Sequence, residues 1–284
     1  MTMEAEAAGL VRKPGDLIGK VQDKIIRKKR CSNSSRRKVI IRRSLRPILG
    51  LQQLFLSCQQ VFKGPGTVPS PNDVQMLCHI LDQMTPQDVG LSSDLHFFKP
   101  NTDVKAHERV AYATIHQCKK FSLCIFFLPA NSVIPLHNHP GMTVFSKLLL
   151  GSMHIKSYDW LDNSSSDNHE SDPKLKRLAR LRANRIFTAP CDTSVLYPTS
   201  GGNIHEFTAI TPCAVLDVLG PPYSKDDGRD CSYYKDSPYD ATLDVEVKEA
   251  KQDECYGWLE EIDLPNDSEM DLIPYLGPQV SVAS

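Results

Sequence analysis

Apolar residues recur at steps of three and four between residues 47 and 62, where Ile48, Leu51, Leu54, Phe55, Cys58 and Phe62 share one face of a helix. Gly64, Pro65, Gly66, Pro69 and Pro71 then break the pattern and predict a loop. A second helix is expected over 74–83, with Val74, Leu77, Cys78 and Leu81 on one side and Asn72 or Asp73 as its cap. Beyond residue 93 the period shortens. Residues 109–116 alternate, with Val110, Tyr112, Thr114 and His116 on one side, and 121–128 (FSLCIFFL) form an unbroken apolar run. Further short β-type runs occupy 142–150, 153–160, 185–189, 194–197, 205–210 and 213–219, separated by Gly, Pro, Asn and Asp. Residues 241–247 alternate as well. The stretch 173–184 (PKLKRLARLRAN) fits either a short helix or an edge ribbon, and 163–172 is a polar loop. Many short strands punctuated by turn residues predict a mainly β fold, a sandwich or barrel, with helices at its N-terminal side.

Charge divides the chain where periodicity alone does not. The 284 residues carry a formal charge of −1. Yet residues 12–46 hold 14 of the 33 basic side chains and only 2 of the 34 acidic ones. A basic arm, residues 1–46, therefore precedes an acidic body, residues 47–262, and a weakly ordered tail is expected over 263–284, with Leu272, Ile273, Tyr275 and Leu276 able to pack on the body. The clusters Arg27–Arg30 and Arg36–Lys38 suit a nuclear import signal, so residence in nucleus and cytoplasm is expected. The arm has no aromatic residue for stacking on bases, so direct nucleic-acid binding is not expected. No apolar run approaches the roughly 18–20 residues that span a bilayer, and Asp16 and Asp23 interrupt any secretory core in the first thirty residues. Nine cysteines, an odd number without a C-x-x-C pair, argue against a disulfide framework or zinc ribbon and for a reducing compartment.

Chemistry concentrates in 134–142 (IPLHNHPGM). In an extended chain residues i and i+2 share a face, so His137 and His139 present two imidazoles side by side. A third ligand must come from another strand, and His205, which follows Gly201, Gly202, Asn203 and Ile204 at the start of a β-run, is the best candidate. Glu206 then points away. His79, His96, His107, His116, His154 and His169 lack partners at ligand spacing and read as packing or surface residues. H-x-H followed by a later glycine, and a second G-x-x-H, resemble the two cupin motifs. Val144 stands where the cupin glutamate falls, and Gly151 follows seven positions on. Imidazole suits Fe, Zn, Cu and Ni alike; were the metal ferrous, three neutral ligands would leave it its full charge, which favours an incoming thiol as thiolate and suits oxidation of sulfur to the sulfinic level.

The segments 136–160, 201–207 and 215–224 (VLDVLGPPYS) together resemble the plant cysteine oxidases, in one family with the animal 2-aminoethanethiol dioxygenase, over residues 48–262. The resemblance implies a cupin-type double-stranded β-helix (jelly-roll) barrel and an Fe(II)-dependent enzyme, a monomer. Its activity would use O2 to convert the N-terminal cysteine of target proteins, ethylene-response-type transcription factors, to cysteine sulfinic acid. That product marks them for arginylation and N-degron degradation, so that oxygen sets their lifetime in the hypoxia response. It also implies His137, His139 and His205 as iron ligands and places the family's acid on Asp217. That acid would hold the substrate ammonium or support a ligand histidine. Tyr223 would donate near the metal-bound sulfur or oxygen, and Cys231 would line the mouth. Two other readings stand beside this one: a dioxygenase of a small aminothiol such as cysteamine, and a non-enzymatic nuclear metal-binding cupin regulator.

Overall fold

A computed structural model describes residues 50–91, 109–161, 176–240, 254–266 and 268–281. The basic arm over 1–46, the polar loop at 163–172, the run at 241–247 and His96, His107 and His169 lie outside the described residues. The first helix, α1 (Gly50–Val61), buries Leu51, Leu54, Phe55 and Cys58, as its spacing predicts, and Val61 besides. The second, α2 (Pro71–Gln83), starts earlier than expected, because Ser70 rather than Asn72 or Asp73 is the cap. Pro71 at the first helical position loses no hydrogen bond there, and Asp73 closes a capping box: its backbone N–H donates to Ser70 Oγ at 3.2 Å. A 3-10 turn at Pro86–Val89 repeats the device with Thr85 and Asp88.

Among the described residues twelve strands follow: β1 (Ala111–Gln117), β2 (Ser122–Leu128), β3 (Val133–His137), β4 (Thr143–Leu150), β5 (Ser152–Trp160), β6 (Arg177–Thr188), β7 (Ser194–Leu196), β8 (Ile204–Ala209), β9 (Cys213–Gly220), β10 (Tyr233–Pro238), β11 (Tyr256–Ile262) and β12 (Asp271–Leu272). One sheet runs β12-β1-β2-β9-β4-β7, and the other closes into a ring, β10-β11-β6-β5-β8-β3. Apart from the parallel β12–β1 contact, the pairings are antiparallel. This is the expected mainly β, cupin-type double-stranded β-helix with helices on its N-terminal side.

The middle strand β9 is buried along its whole length and works on two fronts. Ala214, Leu216 and Val218 pack with Leu54, Phe55, Leu77 and Leu81 of the helices. Cys213 and Val215, on the alternate face, pack with Leu128, Ile134, Met153 and Phe207 between the two sheets. Strand alternation thus puts Asp217 inward, on the face opposite Leu216 and Val218. Each fully buried leucine of the helical layer contributes about 1.5–3 kcal/mol. A buried lysine crosses this layer: Lys147 of β4 donates to Cys191 O at 2.6 Å and lies 3.4 Å from Asp82 of α2. The pairing offsets the cost of burying its charge.

Gly151, the glycine of the first cupin-like motif, turns β4 into β5 with φ +90°, and a side chain there would collide with the Pro212 carbonyl. One open alternative closes and one expectation changes. Residues 177–188 are a long strand and not a helix, because Ala179 and Leu181 pack inward with Tyr158 and Leu259 while Arg182, on the alternate face, is exposed; paired with both β5 and β11, the strand is not at an edge. The weakly ordered tail expected over 263–284 is, in its described part, bound to the body. Asp271–Leu272 pairs with β1, Tyr275 packs on the helical core, and Leu272 and Leu276 are left exposed. Among the described residues no helix is long and apolar enough to cross a membrane.

Candidate metal centre

The ring sheet brings the first two imidazoles together by register. His137, the last residue of β3, pairs with His205, the second residue of β8. His139 lies beyond the end of β3, in a turn whose Met142 N–H donates back to His139 O at 3.2 Å. All three ring pairs stand 4.8 Å apart, centroid to centroid. One ring nitrogen from each lies within 4.8 Å of the others. Among the described residues this is the group able to hold a metal, and it contains no carboxylate. Val144, at the glutamate position, is 1% exposed and packs with Met142, Cys124, Leu196 and Leu219.

Protonation and tautomer both suit a metal. Burial holds His137 down to about 4 and His139 and His205 well below the ordinary imidazole range, so all three are neutral at physiological pH. His137 Nδ1 donates to Pro135 O at 2.7 Å, which leaves Nε2 its lone pair. His139 Nδ1 donates to the Tyr223 hydroxyl at 2.9 Å, and that hydroxyl donates in turn to Asn138 O at 2.8 Å. The Nε2 atoms of His139 and His205 face each other at 3.0 Å. That spacing suits one ring N–H donating to the other, and equally two lone pairs that share a cation. Bonds of about 2.1 Å at a right angle span about 3.0 Å, so the donor set fits a transition metal.

Tyr223 is built into the centre beside a ligand: its hydroxyl lies against His139 Nδ1 and Asn138 O, with the Cys231 thiol as a further partner. It stacks on His139 at 5.4 Å and fixes which nitrogen of that ring faces inward. Tyr223→Phe should weaken metal binding by about 10–100-fold, as loss of such outer partners typically does. Chelator competition measures this, and an unchanged affinity would refute the role.

Asp217 sits inside the same interior but is not bonded to a ligand histidine. It pairs across the sheet with Cys124 and Ser146, and among the described residues its Oδ1 has no hydrogen-bond partner. Burial raises its carboxyl to about 7, with the Ser146 hydroxyl only partly opposing. Among the described residues a ligand histidine is thus not among its hydrogen-bond contacts. Cys231 lies against Tyr223 and Tyr233, and burial raises its thiol above the ordinary range. Tyr233 in turn faces His137 at 6.4 Å. The other described histidines pack or bond elsewhere: His116 on Phe55, His79 with Gln83, His154 with Asn184.

Two supports escaped the sequence reading. Asn138 accepts from Ser232 N–H at 2.8 Å and donates to the Tyr234 hydroxyl at 3.2 Å, zipping the histidine turn to the start of β10. Asn203 is buried against the same turn. Its signal was an amide two residues before a ligand, inside a glycine pair's strand entry. The partners, however, are backbone atoms far away in sequence.

A family model described as PCO_ADO matches residues 80–280. "Plant cysteine oxidase 1" of Arabidopsis thaliana is 47% identical over 82% of this chain and 81% of its own length. "Plant cysteine oxidase 2" of the same plant is 46% identical, over 88% and 90% respectively. "2-aminoethanethiol dioxygenase" of Mus musculus is 31% identical, over 74% and 86%.

Proposed function

Because the chain belongs to the PCO_ADO family, we propose that it is a non-haem iron dioxygenase that converts the N-terminal cysteine of target proteins to cysteine sulfinic acid. The observation that carries this reading is the carboxylate-free trio of neutral histidines. The reaction is R–SH + O2 → R–SO2H: both oxygen atoms join sulfur, sulfur loses four electrons, dioxygen gains them, and no separate reductant is needed. Iron, when bound, supplies the positive charge that ionises the thiol and the spin and redox partner that dioxygen requires.

The rest falls to the chain. His137, His139 and His205 hold the ion without neutralising it. Asp217, inward and short of a partner, is suited to an alkylammonium. Pairing with that cation restores its ordinary acidity and anchors the amine two bonds from the carbon that bears sulfur. Leu128, Ile134, Phe207 and Val215 keep the interior dry. Proteins that begin with cysteine, ethylene-response-type transcription factors among them, fit this chemistry as substrates. The sulfinate would commit them to arginylation and N-degron degradation, which makes oxygen the signal in a hypoxia response. The basic clusters of residues 12–46 support action in the nucleus as well as the cytoplasm.

A second reading draws on the 2-aminoethanethiol dioxygenase relative, since a small aminothiol carries the same amine and thiol. One assay separates the two. The Fe(II)-loaded chain is mixed with a Cys-initiated peptide or with cysteamine in air. A mass gain of about 32 Da on the peptide is expected. Gain on cysteamine alone favours the small substrate, and no gain on either overturns the enzymatic reading.

A further inference from the structure

The three ligands are not held alike. His137 and His205 sit in paired strands, whose ladder fixes their backbones. His139 does not, because β3 ends two residues before it. Pro140 and Gly141 follow, and Gly141 takes φ +65°, so the ladder cannot extend to this ligand. Something else must define where His139 stands.

Asn203 meets that need. Its Oδ1 accepts from the His139 N–H at 3.1 Å, and its Nδ2 donates to His139 O at 2.9 Å. Both backbone groups of the ligand are thus gripped by one planar amide, as a neighbouring strand would grip them. The second Nδ2 proton goes to Tyr197 O at 2.7 Å. Asn203 itself lies two residues before His205, so a single side chain connects the segments carrying two of the ligands. Its own backbone is anchored: Asp159 Oδ1 accepts from Gly202 N–H at 2.8 Å and Asn203 N–H at 3.0 Å. Asp159 Oδ2 pairs with Arg182 Nε at 2.9 Å. Gly202, at φ +85°, brings this turn so close to β5 that a Cβ would lie 2.5 Å from Ser157 Oγ.

We propose that Asn203 is a positioning residue of the metal centre: its side-chain amide sets the distance between His139 and His205, and thereby metal affinity and coordination geometry. The inference rests on the reading of the three histidines as a metal site. It does not depend on what the metal does there.

The test uses Co(II), whose visible absorption reports ligand number and geometry, with the full chain. Asn203→Ala removes the whole clamp. Asn203→Asp keeps size and the acceptor for His139 N–H but turns a donor into an oxygen facing two carbonyls, which guards against simple collapse of the cavity. Affinity is measured by chelator competition at a temperature well below the melting of each metal-free variant. The expected result is an affinity loss of about tenfold or more in both, with an altered Co(II) spectrum. A purely structural role would lower the melting temperature but leave spectrum and affinity at parental values, and that outcome overturns the proposal. Failure of the parent chain to bind Co(II) would instead overturn the metal centre, and the proposal with it.

Discussion

His205→Ala will empty the centre and abolish sulfur oxidation. Apparent binding energies of structural zinc sites run about 10–16 kcal/mol over four ligands, or about 2.5–4 kcal/mol for each. Loss of one ligand should therefore cost about 10²–10³-fold in metal affinity. The site offers no substitute: Val144 occupies the place from which a carboxylate would stand in, and no further His, Cys, Asp or Glu joins the trio among the described residues. The fold should survive, because His205 lies in a β8 that is paired on both sides, with β3 and β5. Elemental analysis after desalting, with a peptide oxidation assay beside it, reads both effects. A variant that retains metal and oxidises peptide at the parental rate would remove His205 from the ligand set.

Asp217→Asn separates binding of metal from handling of substrate, and it carries a stability signature of its own. In the metal-free fold burial raises the Asp217 carboxyl to about 7. The folded state then holds its proton more tightly than the unfolded chain, where the group has its ordinary acidity. This residue's contribution is complete below the unfolded pKa near 4, is lost progressively as pH rises, and is fully lost above about 7. A rise of roughly three units corresponds to about 4 kcal/mol in order of magnitude. Asparagine has no such charge to bury. The metal-free variant should therefore match the parent near pH 4 and exceed it by a few kcal/mol at pH 8, in urea titrations at the two values. Metal content should stay parental, while turnover of a Cys-initiated peptide falls at least about tenfold. Gain in stability with loss of activity is the pattern of a group retained for function at the expense of the fold. Unchanged kinetics would reduce Asp217 to a structural residue, and equal urea midpoints at pH 8 would contradict its burial as a charge.

The histidine trio was legible because its signals are short-range, an H-x-H at a strand end and a histidine opening a strand after a glycine pair, although His139 is brought beside His137 by a turn and not by the extended chain the spacing suggested. Asp217 was legible for a related reason, as a charge breaking an apolar run whose alternation assigns its face. Tyr223 was found by resemblance, but its contacts with Asn138 and His139 were not, because those residues lie more than eighty positions away in sequence. Asn203 and Asp159 act through backbone atoms, which leave no mark on residue type at the other end. The strand β6 was ambiguous since Lys/Arg alternating with Leu satisfies both periods over a short window; its pairing with β5 and β11 decided the matter. The two residues of β12 are too few to show any period at all.

The amide of Gln52 joins the backbone of Ser281 through two hydrogen bonds, 2.7 Å and 2.9 Å long, so the first helix and the last described residues meet. Tension applied across the folded body would load that clasp, then peel the short parallel strand from β1. The histidine-bearing strands belong to a ring in which each is flanked on both sides. Traction at the ends, whether from an unfoldase or an optical trap, would thus spend itself on the outer fastenings before it reached the centre.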